Sequence, residues 1–364
     1  MTSVERVAVI GTGLIGTSIG LAAARAGASV TGWDTDGAVA ARAARIADLT
    51  AAASLDDAIG GADIVVVATP IPTIAPIVAA CLAGSPHAVV TDVGSVKAAP
   101  IRQTLATAAP NDVVRFVPSH PMGRSERSGP DHASASVVDG IVWAITPHGT
   151  CDPAAVDLID AWVTAMGARA VRLDPARHDR LVAFVSHLPQ VASTALMSLA
   201  ATEEADEPEI LLLAAGGFRD LTRLAASNPA LWSDILLANR HAISEAIDIY
   251  VDRLLRLRDE IVRGRGDDVA ATFDEAKRAR LRLATKPTVR AGVAVLQIEV
   301  PDRPGALANL TAALGRGSVN IEDLQIVHSP EGGRGTVHLT VAVDEAARAT
   351  RVLDDHGLDP IRLA

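Results

Sequence analysis

The stretch FVPSHPMGRSERSG, Phe116 to Gly129, sets one histidine, His120, between a serine and a proline at the end of an apolar run. An imidazole titrates near neutrality, so it can take the proton of a hydroxyl as general base. The residues alone leave a satisfied loop histidine equally open. A second polar turn, TDVGSVK from Thr91 to Lys97, carries Asp92, Ser95 and Lys97 just past another apolar run. A serine and a histidine at neighbouring strand ends can meet within hydrogen-bond reach. In VAVIGTGLIGTSIG, Gly11, Gly13 and Gly16 are spaced as GxGxxG, with Thr12, Leu14 and Ile15 between them. After a strand and at a helix start, such glycines permit a tight turn, close approach of a pyrophosphate and helix–strand packing. Asp34, about twenty residues on, can accept hydrogen bonds from ribose hydroxyls and repels a 2′-phosphate, so NAD is expected over NADP. Thr69 and Pro70, after DIVVVATP, are expected at the same cofactor edge. A plain glycine-rich turn is the bland alternative.

Further along, SHLPQ holds His187 and Gln190, and GGFRDLTRLAASNPALW holds Gly216, Asp220, Arg223 and Trp232. Guanidinium forks match carboxylates bidentately, which suits Arg219 and Arg223 to an acidic substrate. A solvated helix start with a local ion pair would explain the same pattern.

These groups need elements to hold them. From Val4 to about Pro147 the β-branched runs VAVIG, SVTGWD, DIVVVATP, AVVTDVGS, VRFVPSH and IVWAITP alternate with alanine-rich helical stretches, which predicts an α/β domain with a parallel Rossmann-type sheet over residues 1–150. Residues 151–285 read as helix apart from a short AVRL strand near Val171, with one long amphipathic piece from Pro229 to Arg263. A polar stretch with proline and glycine marks a linker at 286–292. Residues 293–364 then read as βαββαβ, a small ferredoxin-like unit.

Composition narrows the function classes. The 364 residues exceed one ordinary core. A formal charge of −10 without a long basic run speaks against nucleic acid as partner. Cys81 and Cys151 are read as structural thiols, as is usual in a reducing compartment. No signal peptide and no apolar run near the length of a membrane span is read, so a cytoplasmic protein without a membrane partner is expected. No metal is expected.

Taken in order, GxGxxGxS, DVGSVK, HPM, HLP and GGFRDxTRxAxSxPxLW resemble the TyrA family of prephenate and arogenate dehydrogenases over about residues 5 to 285. The resemblance implies NAD(P)+-dependent oxidative decarboxylation of prephenate or arogenate. It implies His120 as the base, Ser95 as the residue that orients it and also lines the cofactor site, and Arg223 on a substrate carboxylate. His187, Gln190, Gly216 and Trp232 would line the pocket, and Glu126 with Asp220 would join an ionic network controlling access. It also implies a homodimer through the helical domain. Two departures stand out. The chain reads HPMGR where relatives commonly read HPMAG, so Arg124 replaces a small residue. Gln190 stands where prephenate-preferring relatives often carry histidine, and the absence of an acid in HLPQ inclines the reading to prephenate.

The C-terminal DRPGALANL followed by VNIEDL resembles an ACT domain, an amino-acid-sensing module. Asp302, Pro304, Gly305, Ala306, Leu307, Asn320 and Ile321 would hold the effector, for which tyrosine is the expectation, and a purely structural appendage is the alternative. Two rivals remain at this point: a β-hydroxyacid dehydrogenase, and a non-catalytic NAD- and amino-acid-binding regulator.

Overall fold

The computed structural model describes residues 4–123, 129–283, 293–301, 303–328 and 334–363. The chain divides into two compact units, Met1–Thr194 with Leu224–Ile249, and Ala195–Arg223 with Tyr250–Ala364.

The first unit is built on a parallel sheet of β1 (Arg6–Ile10), β2 (Ser29–Trp33), β3 (Thr50–Ala51), β4 (Ile64–Val67) and β5 (Val89–Asp92), in the order β3-β2-β1-β4-β5. Side chains alternate across a strand, and two cores result. Val7, Val9, Ile64 and Val66 enter one cluster, while Ala8, Ile10, Val65 and Val67 enter the other. Helices Leu14–Arg25 and Ile71–Gly84 cover opposite faces, Ile19 with the first cluster and Ile74 and Val78 with the second. Burial on both faces explains why these strands read as unbroken apolar runs. The two-residue β3, too short to stand out in the sequence, completes the edge.

The runs VRFVPSH and IVWAITP do not extend the parallel sheet as expected. Phe116 makes a single parallel bridge to Val90, and Val117 N–H donates to the Val90 carbonyl at 2.8 Å. The chain then enters a separate sheet of β6 (Ser119–Pro121), β7 (Val142–Ile145) and β8 (Arg169–Arg172). There β6 runs antiparallel to β7, and β7 runs parallel to β8. Helix Pro153–Ala165 is capped by Asp152 and sends Ile159, Trp162 and Val163 into the same core as Val7 and Val9. The boundary expected at residue 150 therefore falls inside a packed unit.

From Pro175 to Glu203 the chain is one helical run of 29 residues, long and apolar enough by composition to cross a bilayer. That corrects the expectation that no run has such length. Its buried positions include His178, Asp179, His187 and Gln190, and these bond to other parts of the first unit, which anchors one side of its first half there. Midway, Ala183–His187 forms a π turn. Nine residues of α-helix would put His178 and His187 about 180° apart. The π turn absorbs roughly one residue and brings them to within about 80° of each other.

The expected long helix from Pro229 is two, Pro229–Ala238 and Arg240–Val262, broken at Asn239. Asn239 is buried, and its side-chain amide bonds inside the first unit, a contact that a helix continuing straight through this residue would not need.

The second unit contains helix Gly266–Leu283 and a sheet of β9 (Val293–Pro301), β10 (Asp323–His328), β11 (Arg334–Ala342) and β12 (Ile361–Arg362). With helices Ala306–Arg316 and Val343–Asp354 the order is βαββαβ as expected. The strands pair antiparallel in the order β10-β11-β9-β12. Alternate residues of β9, Leu296, Ile298 and Val300, meet Leu310, Leu314 and Leu353 in its core.

Candidate active site

The glycine turn follows β1 and opens helix Leu14–Arg25 without a side-chain cap, so the first N–H groups of that helix are available to an anion. Gly11 takes φ +92°, and a Cβ there would stand 2.6 Å from the Ala68 carbonyl oxygen. A Cβ on Gly16 would fall 2.0 Å from the Gly11 carbonyl oxygen, so helix and turn touch backbone to backbone. Gly13 faces open space, with nothing within 4 Å of a Cβ. That is the surface a pyrophosphate would approach. Asp34 closes the end of β2: its Oδ2 accepts from the Thr12 N–H at 2.8 Å and its Oδ1 from the Asp36 N–H at 3.1 Å. The Thr69 hydroxyl is buried without a partner among the described residues. An open cradle, a held carboxylate and an orphaned hydroxyl along one edge fit a dinucleotide. Pro70 caps the next helix, Ile71–Gly84, at the same edge.

Beyond β5 the polar groups are packed tightly. Lys97 is fully buried, pairs with Asp92 and donates to the Ser119 carbonyl at 2.7 Å. Ser119 Oγ donates to the Asp92 carbonyl at 3.0 Å and accepts from Trp143 Nε1 at 2.9 Å. These bonds fix the chain on either side of His120, which is half-buried on β6. Desolvation holds the His120 imidazole well below its usual pKa, and the neighbouring His178, Lys97 and His187 act in the same direction. The ring is therefore neutral at pH 7 and able to accept a proton.

The side chain bonded to His120 is His178, not Ser95. His120 Nδ1 lies 2.9 Å from His178 Nε2, while Ser95 makes no hydrogen bond to it. His178 Nδ1 is 2.9 Å from Asp179 Oδ1. The Asn239 amide then joins Asp179 to His187, donating to the Asp179 carbonyl at 2.9 Å and reaching His187 Nδ1 at 3.1 Å. His187 is 1% exposed and edge-on to Trp232, with ring centroids 6.0 Å apart. Burial, slightly offset by Asp179, lowers its pKa to about 4.

The first unit thus brings His120, His187 and Trp232 into one network. Gln190 is committed elsewhere: Nε2 donates to the Leu224 carbonyl at 2.7 Å, and Oε1 accepts from Ser227 at 3.3 Å. Its amide holds the 224–227 turn instead of standing open to a ligand. Gly216 and Asp220 are exposed on helix Gly216–Thr222 of the second unit, and Arg223 opens the following 3-10 turn. Arg124, Glu126 and Asp302 lie outside the described residues.

Sequence reasoning missed His178, Asp179 and Asn239. In the helix from Pro175, the structure buries His178, Asp179 and Val182 while Leu181, Phe184 and Val185 are exposed. Polar groups facing inward from a helix that turns large apolar ones outward mark a site.

In the C-terminal sheet unit, Gly305 takes φ +87° and caps helix Ala306–Arg316, whereas Asn320 lies past its other end. The 11 residues between span about 16 Å, so one chain does not converge Gly305 and Asn320 on a single ligand. Asn320 instead bonds Glu322 at 2.6 Å and Glu345 at 3.0 Å. Pro304 is exposed, and Leu307 and Ile321 pack against the local core. A cavity of about 690 Å³ borders Arg303, Ala306, Asn309, Arg316 and His356, and of the expected effector residues that are described only Ala306 lines it.

Comparison with known proteins accords with this layout. The nucleotide-binding domain of prephenate dehydrogenase matches residues 19–172, its dimerization domain residues 174–275, and an ACT domain residues 293–355. Cyclohexadienyl dehydrogenase of Zymomonas mobilis is 34% identical over 301 residues, 80% of this chain and 100% of the relative. Prephenate dehydrogenase of Bacillus subtilis is 29% identical over 348 residues, 94% of this chain and 93% of the relative. The crystal structure of A. aeolicus prephenate dehydrogenase in complex with hydroxyphenyl propionate and NAD+ superposes with a TM-score of 0.72 at 26% identity, covering 78% of this chain and 99% of that one. These matches follow the order of the domains along the chain, and they displace the β-hydroxyacid dehydrogenase reading. The chain belongs to the prephenate dehydrogenase family and is an NAD-dependent dehydrogenase with a C-terminal ACT domain.

Proposed function

We propose that the protein oxidatively decarboxylates prephenate to 4-hydroxyphenylpyruvate, with His120 as the base. The observation that carries this reading is a neutral, desolvated imidazole beyond the carboxyl end of the nucleotide-binding sheet, where open α/β sheets gather their ligands. NAD+, when bound, accepts the hydride from the carbinol carbon. His120 takes the ring hydroxyl proton as the carbonyl forms. Carbon dioxide leaves with the ring aromatising toward that oxygen, and His120 returns the proton to the resulting phenolate. No proton is left over, so the base ends the cycle as it began. Gly11, Gly13 and Gly16 would cradle the pyrophosphate, Asp34 the ribose, and Thr69 supplies an unspent hydroxyl. Arg223 is assigned to a substrate carboxylate on family resemblance.

The choice between prephenate and the alternative, arogenate or dual specificity, turns on position 190. The Gln190 amide is bound to the 224–227 turn, so that position offers neither an acid for the arogenate ammonium nor a histidine. We assign tyrosine as effector at the ACT domain and a homodimer as the working form, since Leu254, Leu255, Ile261 and Val262 of helix Arg240–Val262 are exposed apolar side chains. Steady-state NAD+ reduction with prephenate and arogenate side by side, with and without tyrosine, tests the reading. Turnover of neither substrate contradicts it.

A further inference from the structure

We infer that His178 and Asp179 are positioning residues for His120: a buried Asp–His–His series sets the tautomer of the base and stabilises the imidazolium it becomes. The inference rests on the role given to His120 above and adds what makes that role possible.

The protons can be placed from the contacts. Asp179 is 4% exposed and its carboxylate is fully engaged, Oδ1 accepting from the Lys97 N–H at 2.9 Å and Oδ2 from the Ala98 N–H at 2.8 Å, at the start of helix Ala98–Thr107. An ionised carboxylate only accepts, so His178 Nδ1, also 2.9 Å from Oδ1, must carry a hydrogen. With its one ring hydrogen on Nδ1, His178 presents a lone pair at Nε2, 2.9 Å from His120 Nδ1, and in this arrangement His120 donates there. The hydrogen of His120 is thereby fixed on Nδ1. Its Nε2 is left bare, which is the atom a base needs.

The surroundings enforce this arrangement. The two rings stand nearly perpendicular, at 76° with centroids 5.2 Å apart, so the Nδ1–H of one points into the edge of the other. Lys97 and His187 act against positive charge on His120, and a second cation on His178 would add to that. When His120 takes the substrate proton, the charge is spread toward Asp179, the carboxylate that contacts His178. The carboxylate acts through orientation and field and need not itself be protonated. It also caps the helix that follows the DVGSVK loop, so the base and that loop share one anchor.

The test uses the full-length protein with His178→Leu, His178→Gln and Asp179→Asn, and His120→Asn as reference. Turnover, NAD+ affinity and ¹⁵N spectra of histidine-labelled protein are measured. In the parent spectrum His120, identified by its loss in His120→Asn, shows hydrogen on Nδ1 and none on Nε2. Asp179→Asn removes the charge that holds the hydrogen on His178 Nδ1, and the His120 signal then shifts toward hydrogen on Nε2. Turnover falls about 10²-fold or more in His178→Leu and Asp179→Asn, with NAD+ affinity retained. His178→Gln, whose carbonyl can still accept from His120, keeps turnover within about tenfold of the parent. Near-parent turnover in His178→Leu, or an unchanged tautomer in Asp179→Asn, overturns the inference. Should His178→Leu not fold, the spectra and turnover of Asp179→Asn and His178→Gln decide alone. Full activity in His120→Asn would instead remove the base itself, which separates failure of the proposed function from failure of the series.

Discussion

Lys97 and Asp92 form an ion pair that neither residue shares with water, their side chains being 0% and 1% exposed. Five residues apart, they close the DVGSVK loop onto the end of β5, and the ammonium also grips the chain just before His120. Desolvation lowers the pKa of Lys97, with Asp92 and then Asp179 opposing the shift. Removing one member of such a pair leaves an uncompensated buried charge. Lys97→Met should therefore lose about 3–5 kcal/mol of stability by urea unfolding. Lys97→Met combined with Asp92→Asn should recover much of that loss. A single variant as stable as the parent would deny the pair its structural role.

The glycines of the cofactor turn should separate by function. Gly16→Ala drives a methyl into the Gly11 carbonyl and should cost about 1–3 kcal/mol or prevent folding. Gly13→Ala meets nothing and should leave stability within about 0.5 kcal/mol. Its NAD+ affinity should nevertheless fall about tenfold or more, about 1.4 kcal/mol, because the methyl stands where the pyrophosphate arrives. Calorimetric titration of both variants checks the contrast, and equal NAD+ affinity in Gly13→Ala and the parent would contradict it.

Asp34 ties cofactor choice to the turn, since it holds the Thr12 N–H. Asp34→Gly should lower kcat/KM for NAD+ about tenfold or more, in line with the roughly 1.5–3 kcal/mol of a hydrogen bond to a charged group. The same change should raise kcat/KM for NADP+. Steady-state kinetics with both cofactors reads the result, and an unaltered ratio would count against the assignment.

Stability should fall in mild acid. Burial depresses His187 to about 4, and His120 and His148 shift in the same direction, again chiefly by desolvation. The unfolded chain therefore binds these protons first, and stability rises with pH from about 4 to about 6.5, then levels off. Each fully shifted histidine contributes up to about 1.4 kcal/mol per pH unit in that window. Tm measured from pH 4.5 to 8 should follow this course, and His187→Gln should flatten it. A Tm independent of pH below 6.5 would contradict the burial.

The parts legible in the sequence are those written in local spacing. Gly11, Gly13, Gly16 and Asp34 are a turn, a helix start and a strand end within one βαβ unit, so their order alone places them. His120 was legible as a residue type at a strand end. Its partner was not, because His178 is 58 residues away and the contact depends on how helix Pro175–Val182 packs. Ser95 looked the better partner because its loop ends the neighbouring strand, yet the loop is held by Lys97 and Asp92 and Ser95 is left unbonded to the imidazole. The split of the expected sheet after Phe116 was equally hidden. Period-two apolar runs do not reveal whether a strand pairs parallel with β5 or antiparallel with β7. The break at Asn239 depends on a buried amide between Asp179 and His187, which no helical pattern predicts.

The most direct test of the account is the rate of NADH formation from prephenate by the parent and by His120→Asn, with NAD+ binding measured in parallel. The account predicts that the parent turns over, while the variant folds, binds NAD+ with unchanged affinity and loses about 10²–10⁴ in turnover. A His120→Asn protein with near-parent turnover, or a parent that binds NAD+ and leaves prephenate untouched, would contradict it.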